Sequence, residues 1–142
     1  MLKLYKLDSS PLYACFNINS SFAQNPSIHL SDLKDMKFLF PQESADADEY
    51  VHWINQICFE EGYIPRKGGY FSDMVSVLLN IHEDEVYLTD RYFHDFQANY
   101  VVFKEVIGTD SGLIMVFRKD CSAGTLQFTQ YARDFYSEYS KV

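Results

Sequence analysis

Glycine and proline are scarce in this 142-residue chain, six and four residues respectively. That scarcity excludes a collagen-like repeat and a flexible linker protein, and 47% hydrophobic residues exclude a disordered one. Cysteine is equally sparse. Cys15, Cys58 and Cys121 are far apart and odd in number, a poor disulfide framework that points to a reducing compartment. No apolar run approaches the ~20 residues that cross a bilayer, the longest stretches being residues 74–79 and 113–117. The N-terminal segment MLKLYKLDSS is broken by Lys6 and Asp8 before any continuous apolar core forms, so no signal peptide is expected. A cytoplasmic protein without a membrane partner is the expectation.

Chemical signatures are missing too. There is no C-x-x-C, H-E-x-x-H or calcium-loop pattern, no G-x-S-x-G, no Walker loop and no G-x-G-x-x-G. Neither metal nor cofactor is expected. Glu49 with His52, and Asp90 with His94, have helix-like spacing, but two ligands fall short of the four that a structural metal needs. An enzyme would have to use His82 or His94 as a general base with a cysteine that the sequence does not place beside them.

What is abundant is aromatic and acidic. Twelve Phe, eleven Tyr and one Trp make up 17% of the chain, and 20 acidic residues outweigh 12 basic ones. Aromatic residues can stack bases, but stacking surfaces need a basic track, and Arg66-Lys67 is the nearest thing to one. Nucleic acid is therefore not an expected partner. The acidity is concentrated. Glu43, Asp46, Asp48, Glu49, Glu60 and Glu61 occupy residues 41–61 without a Lys or Arg, and Glu83, Asp84, Glu85, Asp90 and Asp95 face only Arg91 in residues 80–96. Such charge either solvates helix ends and a turn or forms one surface for a basic protein partner, with Tyr63, Tyr70 and Tyr87 as interface residues beside it.

Periodicity predicts a single α+β domain spanning residues 1–142, with a mainly antiparallel sheet and two helices, at about residues 45–61 and 123–139, covering one face. The first helix has Ser44 or Asp46 as its cap, acids in its first turn, a stripe of Tyr50, Ile54, Ile57 and Cys58, and Gly62 at its end. Trp53 belongs with that stripe as core. The second helix carries Leu126, Phe128, Tyr131, Ala132, Phe135 and Tyr139 at helical spacing and is expected to pack on the sheet. Alternation predicts a strand pair near residues 2–5 and 12–18, and residues 31–35 read as one helical turn ahead of the apolar Phe38-Leu39-Phe40. Residues 63–70 read as loop. Residues 74–81 and 85–88 read as a hairpin, with a helix over residues 72–80 as the alternative. Residues 100–107 and 113–118, joined through Gly108 and Gly112, read as a second hairpin.

Val77-Leu78-Leu79, the acidic turn Glu83-Asp84-Glu85 leading into Val86-Tyr87-Leu88, and Asp134-Phe135-Tyr136 in the terminal helix carry a resemblance over about half the chain. The chain resembles the cytosolic immunity proteins of bacterial contact-dependent growth inhibition and related polymorphic-toxin systems. The resemblance implies a non-catalytic inhibitor of a cognate toxin domain, a nuclease above all. A phage-encoded anti-defence inhibitor, or a small hydrolase or transferase using His82 or His94, are the alternatives.

Overall fold

The computed structural model describes residues 2–7, 9–43, 45–90, 99–110, 114–118 and 120–139. In chain order these form β1 (Leu2–Lys6), β2 (Leu12–Asn17), β3 (Ser27–His29), a 3-10 turn (Leu30–Leu33), β4 (Lys37–Pro41), α1 (Ala45–Glu60), β5 (Arg66–Phe71), α2 (Met74–Asn80), β6 (Glu85–Thr89), β7 (Val101–Ile107), β8 (Ile114–Arg118) and α3 (Ala123–Tyr139). Two compact units result: Pro11–Thr109, and Met1–Ser10 with Asp110–Val142.

The larger unit is built on a six-stranded sheet of order β3-β7-β2-β6-β4-β5. β2 runs antiparallel to β6 and β7, while β3 is parallel to β7 and β4 is parallel to both β5 and β6. Five strands therefore point one way and β2 points the other. The class is α+β as expected, but the sheet is mixed rather than mainly antiparallel. The difference has a local origin. Residues 66–71 are a strand rather than a loop, and residues 74–80 are a helix rather than half of a hairpin, so two crossovers long enough for parallel pairing exist that the hairpin reading removed. The helical alternative prevails because the Asp73 carboxylate accepts a 2.8 Å hydrogen bond from the Ser76 amide and caps α2.

Both faces of this sheet are covered. Leu12, Ala14 and Phe16 of β2, Phe38 and Phe40 of β4, and Val86 and Leu88 of β6 share a buried cluster with Ile54 and Cys58 of α1. The residues between them, Cys15, Leu39 and Tyr87, form a second cluster with Val77 of α2 and with Ile81. Neighbours along a strand point to opposite faces, so α1 lies on one face and α2 on the other, and the expectation of two helices on one face is corrected. Strands buried on both sides read as unbroken apolar runs, which is what Phe38-Leu39-Phe40 and Val86-Tyr87-Leu88 are.

Helix α1 follows its sequence closely. The Gly62 amide donates to the Phe59 carbonyl and the Tyr63 amide to the Cys58 carbonyl, at 3.0 and 3.1 Å, with Gly62 at φ +92°: the double closure that glycine permits at a helix end. Of its two suggested caps, Ser44 lies outside the described residues, and Asp46 is corrected, because the helix starts at Ala45 and Asp46 is already inside its first turn. Trp53 packs against the first cluster, edge-on to Tyr50 at 6.3 Å between ring centroids.

Strand pairing departs from the sequence reading twice more. β1 pairs with β8 in the smaller unit, Leu2 opposite Arg118 and Lys6 opposite Ile114, instead of with β2. β7 lies between β3 and β2, so neither of its edges is open to β8, and residues 100–118 are not a hairpin. Gly108 does take positive φ, +81°, but it carries the chain out of the sheet rather than back along it.

The smaller unit consists of β1, β8 and α3. Here the Ser9 hydroxyl and the Ser10 amide donate to Asp110 at 3.5 and 3.4 Å, and the Arg133 guanidinium stands 4.0 Å from the centre of the Tyr5 ring. The helix spans the residues expected, yet its more covered side is Thr125, Thr129, Ala132 and Tyr136. Leu126, Phe128, Tyr131 and Phe135 are exposed, Phe135 to 50%, which corrects the expectation that this apolar stripe packs on a sheet. Two strands do not present a surface wide enough to bury such a stripe. Phe135→Ala is accordingly expected to lower stability by less than about 1 kcal/mol in urea titrations, where burial of the ring would cost ~3–5 kcal/mol.

Candidate functional site

The carboxyl ends of β3, β4, β5, β6 and β7 lie at one edge of the six-stranded sheet, as does the start of β2. Open α/β sheets bind ligands outside such an edge, because the following helices begin there and the loops are free of ladder bonding. In this chain the edge carries Pro41 at the end of β4 with Gln42 and Glu43 after it, Ser72 and Asp73 after β5, and Asp90 after β6. Thr109 secures its far side, accepting from the Leu12 amide at 2.8 Å and donating to the Val106 carbonyl at 2.6 Å.

A cleft of about 130 Å3 opens there between α1 and the edge strand β5. Phe40 and Pro41 of β4 form its base, Ala47 and Val51 of α1 one wall, and Lys67 and Tyr70 of β5 the other. Glu43 and Asp48 add two carboxylates to the lining. Lys67 and Tyr70 are three residues apart, a spacing that would place them on opposite faces of a regular strand. The register explains their meeting. Phe38 pairs with Lys67 and Phe40 with Tyr70, so β5 has one residue more than β4 across this interval, a bulge at Gly68-Gly69. The extra residue turns both side chains toward α1. Gly68 suits it, since a Cβ there would stand 3.1 Å from the Glu85 carboxylate and 3.2 Å from the Phe38 carbonyl, and a neighbour would have to give by a few tenths of an ångström.

The sequence-selected acids are divided between two ends of the sheet. Glu43, Asp48, Glu49 and Asp90 follow the carboxyl ends of strands or begin α1, as does Asp46 in its first turn. Glu60 and Glu61 close α1 at the other end, and Glu83 and Asp84 precede β6 there. Asp84 pairs with Lys37 at 3.1 Å, and a hydrogen bond from that lysine holds its carboxyl below the usual range. Glu85 is buried: it accepts from the His82 amide at 2.8 Å, lies 3.3 Å from the His82 ring, and reaches the Gly69 amide at 3.5 Å. Tyr87 is buried against α2, and the Tyr63 hydroxyl donates to the Leu30 carbonyl at 2.6 Å. These three serve the fold's interior.

Of the two histidines considered for catalysis, His82 is exposed and His94 lies outside the described residues. Cys15 and Cys58 are buried, and burial pushes both thiols up, away from the thiolate form a nucleophile needs. Among the described residues no group of three His, Cys, Asp or Glu side chains is placed to hold a metal, and no helix is long and apolar enough to cross a membrane. Of the cleft residues, Tyr70 was selected from the sequence only as a protein-interface tyrosine, and Phe40 and Lys67 were not selected for a site at all. Their signal was the Gly-Gly pair, which marks a bulge when it sits inside a strand.

No protein-family model and no curated protein sequence matches the chain. Solved structures do. The effector-binding domain of BenM with its effector benzoate aligns at a TM-score of 0.78 and 15% identity over 99% of this chain and 66% of that one. Full-length CbnR, described as a LysR family transcriptional regulator, in complex with target DNA gives 0.72 and 16%, over 95% of this chain and 48% of that one. The effector-binding domain of QuiR in complex with shikimate gives 0.68 and 16%, over 96% and 66%. The chain thus spans about half the length of the full-length regulators and about two thirds of the isolated effector-binding domains.

The fold is shared with those domains, and this overturns the likeness to toxin-immunity proteins together with the function drawn from it. The phage-inhibitor and hydrolase or transferase alternatives find no support either. A basic toxin as partner, and the exclusion of nucleic acid, are corrected by the same finding, because the shared fold belongs to regulators of which one is solved on its target DNA. Concentrated acidity was a misleading guide, since acids at helix starts and strand ends arise for local electrostatic reasons in many folds.

Proposed function

We propose that the chain is a small-molecule-sensing domain of a LysR-type transcriptional regulator, regulatory rather than catalytic. The observation that carries this reading is the alignment of 99% of the chain on an effector-binding domain solved with benzoate. The cleft at the carboxyl edge of the sheet supports it, being at the place where sheets of this kind meet ligands. A net charge of −8 and the lack of a basic track are in keeping with a sensing role for these residues.

Ligand binding adds stability by mass action, about 2.7 kcal/mol at a hundred times the dissociation constant. For a domain of this size that is a rise of about 10 °C in midpoint temperature. Thermal unfolding of the chain with benzoate, shikimate, other small carboxylates and free amino acids, each at millimolar concentration, tests the proposal. One chemical class should raise the midpoint and the others should leave it in place. A midpoint unmoved by every class would reject the sensing role.

A further inference from the structure

The cleft's lining carries a narrower statement, which rests on the sensing role just proposed. Lys67 has no ion-pair partner among the described residues, and it lines the same small space as Glu43 and Asp48. The same lining is otherwise largely apolar, with Phe40, Pro41, Ala47 and Val51. A simple carboxylate such as benzoate would gain Lys67 but sit beside two like charges. A simple amine would gain the two carboxylates but leave the lysine unmatched. A molecule carrying both charged groups on one carbon, with a short apolar substituent, satisfies all three parts of the lining.

We propose that this cleft binds a small zwitterionic α-amino acid, its carboxylate toward Lys67, its ammonium toward Asp48 and Glu43, and its side chain on Phe40 and Val51. Size agrees. A cavity of ~150 Å3 takes benzene, six heavy atoms, so about 130 Å3 takes a compound of alanine size, with a slightly larger side chain reaching the open mouth. Tyr70, 57% exposed, stands at the wall where such a side chain would emerge.

Three probes separate the charges: L-valine, isobutylamine, which is valine without its carboxylate, and isovalerate, which is valine without its ammonium. Calorimetric titration of the chain at low salt should show L-valine binding about tenfold or more tightly than either single-charge analogue, the usual worth of one charged hydrogen bond. Lys67→Met should bring valine down to the level of isobutylamine, and Glu43→Gln combined with Asp48→Asn should bring it down to isovalerate. Glu60→Gln, at the far end of α1, should change neither. Isovalerate or benzoate binding as tightly as valine overturns the zwitterion assignment and leaves the sensing role standing. Valine binding that is indifferent to Lys67→Met and to the double variant removes the ligand from this cleft. No binding of any probe, nor of benzoate or shikimate, overturns both.

Discussion

Phe16→Ala is expected to remove about 3–5 kcal/mol of stability, a loss at the top of the range for a single truncation. The ring sits on β2, the one strand of reversed direction, with two strands on one side and three on the other. Its relative exposure is 0%, it stacks on Phe22 at 5.3 Å between centroids, and its backbone pairs with Val86 of β6 and Val102 of β7. Truncation here opens a cavity inside the buried cluster that β2, β4, β6 and α1 share, so the surroundings have little freedom to collapse into it. Against a typical total of about 5–15 kcal/mol, that is a substantial share of the whole. Trp53, the single tryptophan, reports this unit, and its fluorescence in urea should show the midpoint falling. The same titration followed by circular dichroism tests the expectation of one domain. A single cooperative domain shifts both signals together, whereas separable units leave a second transition where it was.

The contrast with Phe135 shows which part of the architecture was legible. Both aromatic residues lie on apolar stripes of the right period, and periodicity alone ranks them alike. The helices at residues 45–60 and 123–139 emerge from that period, and the close of α1 emerges from Gly62. Period says that a face is apolar, not that something covers it. Leu126, Phe128, Tyr131 and Phe135 are exposed because the two-stranded sheet of their unit leaves that side of α3 open.

Sheet topology was illegible for a related reason. Pairing is decided by long-range contacts, and local turn signals misreport it when a glycine serves to change direction rather than to reverse it. Gly108 has the positive φ that a hairpin turn uses, yet both edges of β7 are already filled by β2 and β3. Residues 74–80 were ambiguous in period over so short a run, and the Asp73 cap decided them. The candidate cleft depends on a one-residue excess in β5 relative to β4, a property of two strands that neither sequence shows alone. Glu43 and Asp48 were found by charge, while Lys67 and Tyr70 come to their positions only through the bulge.

Stability should fall steeply in alkali, starting near pH 9. Cys15 is fully buried between β6 and β7, and burial pushes its thiol from 9.0 up to about 12. Burial likewise raises Tyr87 from 10.0 to about 12 against an opposing hydrogen bond from Thr89, and raises Cys58, Tyr50 and Tyr63 above their ordinary values. In the unfolded chain thiols ionise near pH 8.5–9 and phenols near 10. Above pH 9 the unfolded state therefore binds fewer protons than the native state, and the slope of unfolding free energy against pH is negative. Stability is fully present below pH 9 and is lost as pH rises toward 12, by up to about 1.4 kcal/mol per pH unit for each such group. Cys15 alone would cost roughly 2–3 kcal/mol between pH 9 and 11, and Tyr87 adds to it above pH 10. Urea midpoints at pH 7.5, 9, 10 and 11 measure the decline. Cys15→Ala should begin somewhat less stable, for the small cavity left behind, and then lose less between pH 9 and 11 than the parent. Parallel declines in the two proteins would show that the Cys15 thiol is not the group held protonated by the sheet, and a flat profile to pH 11 would contradict its burial altogether.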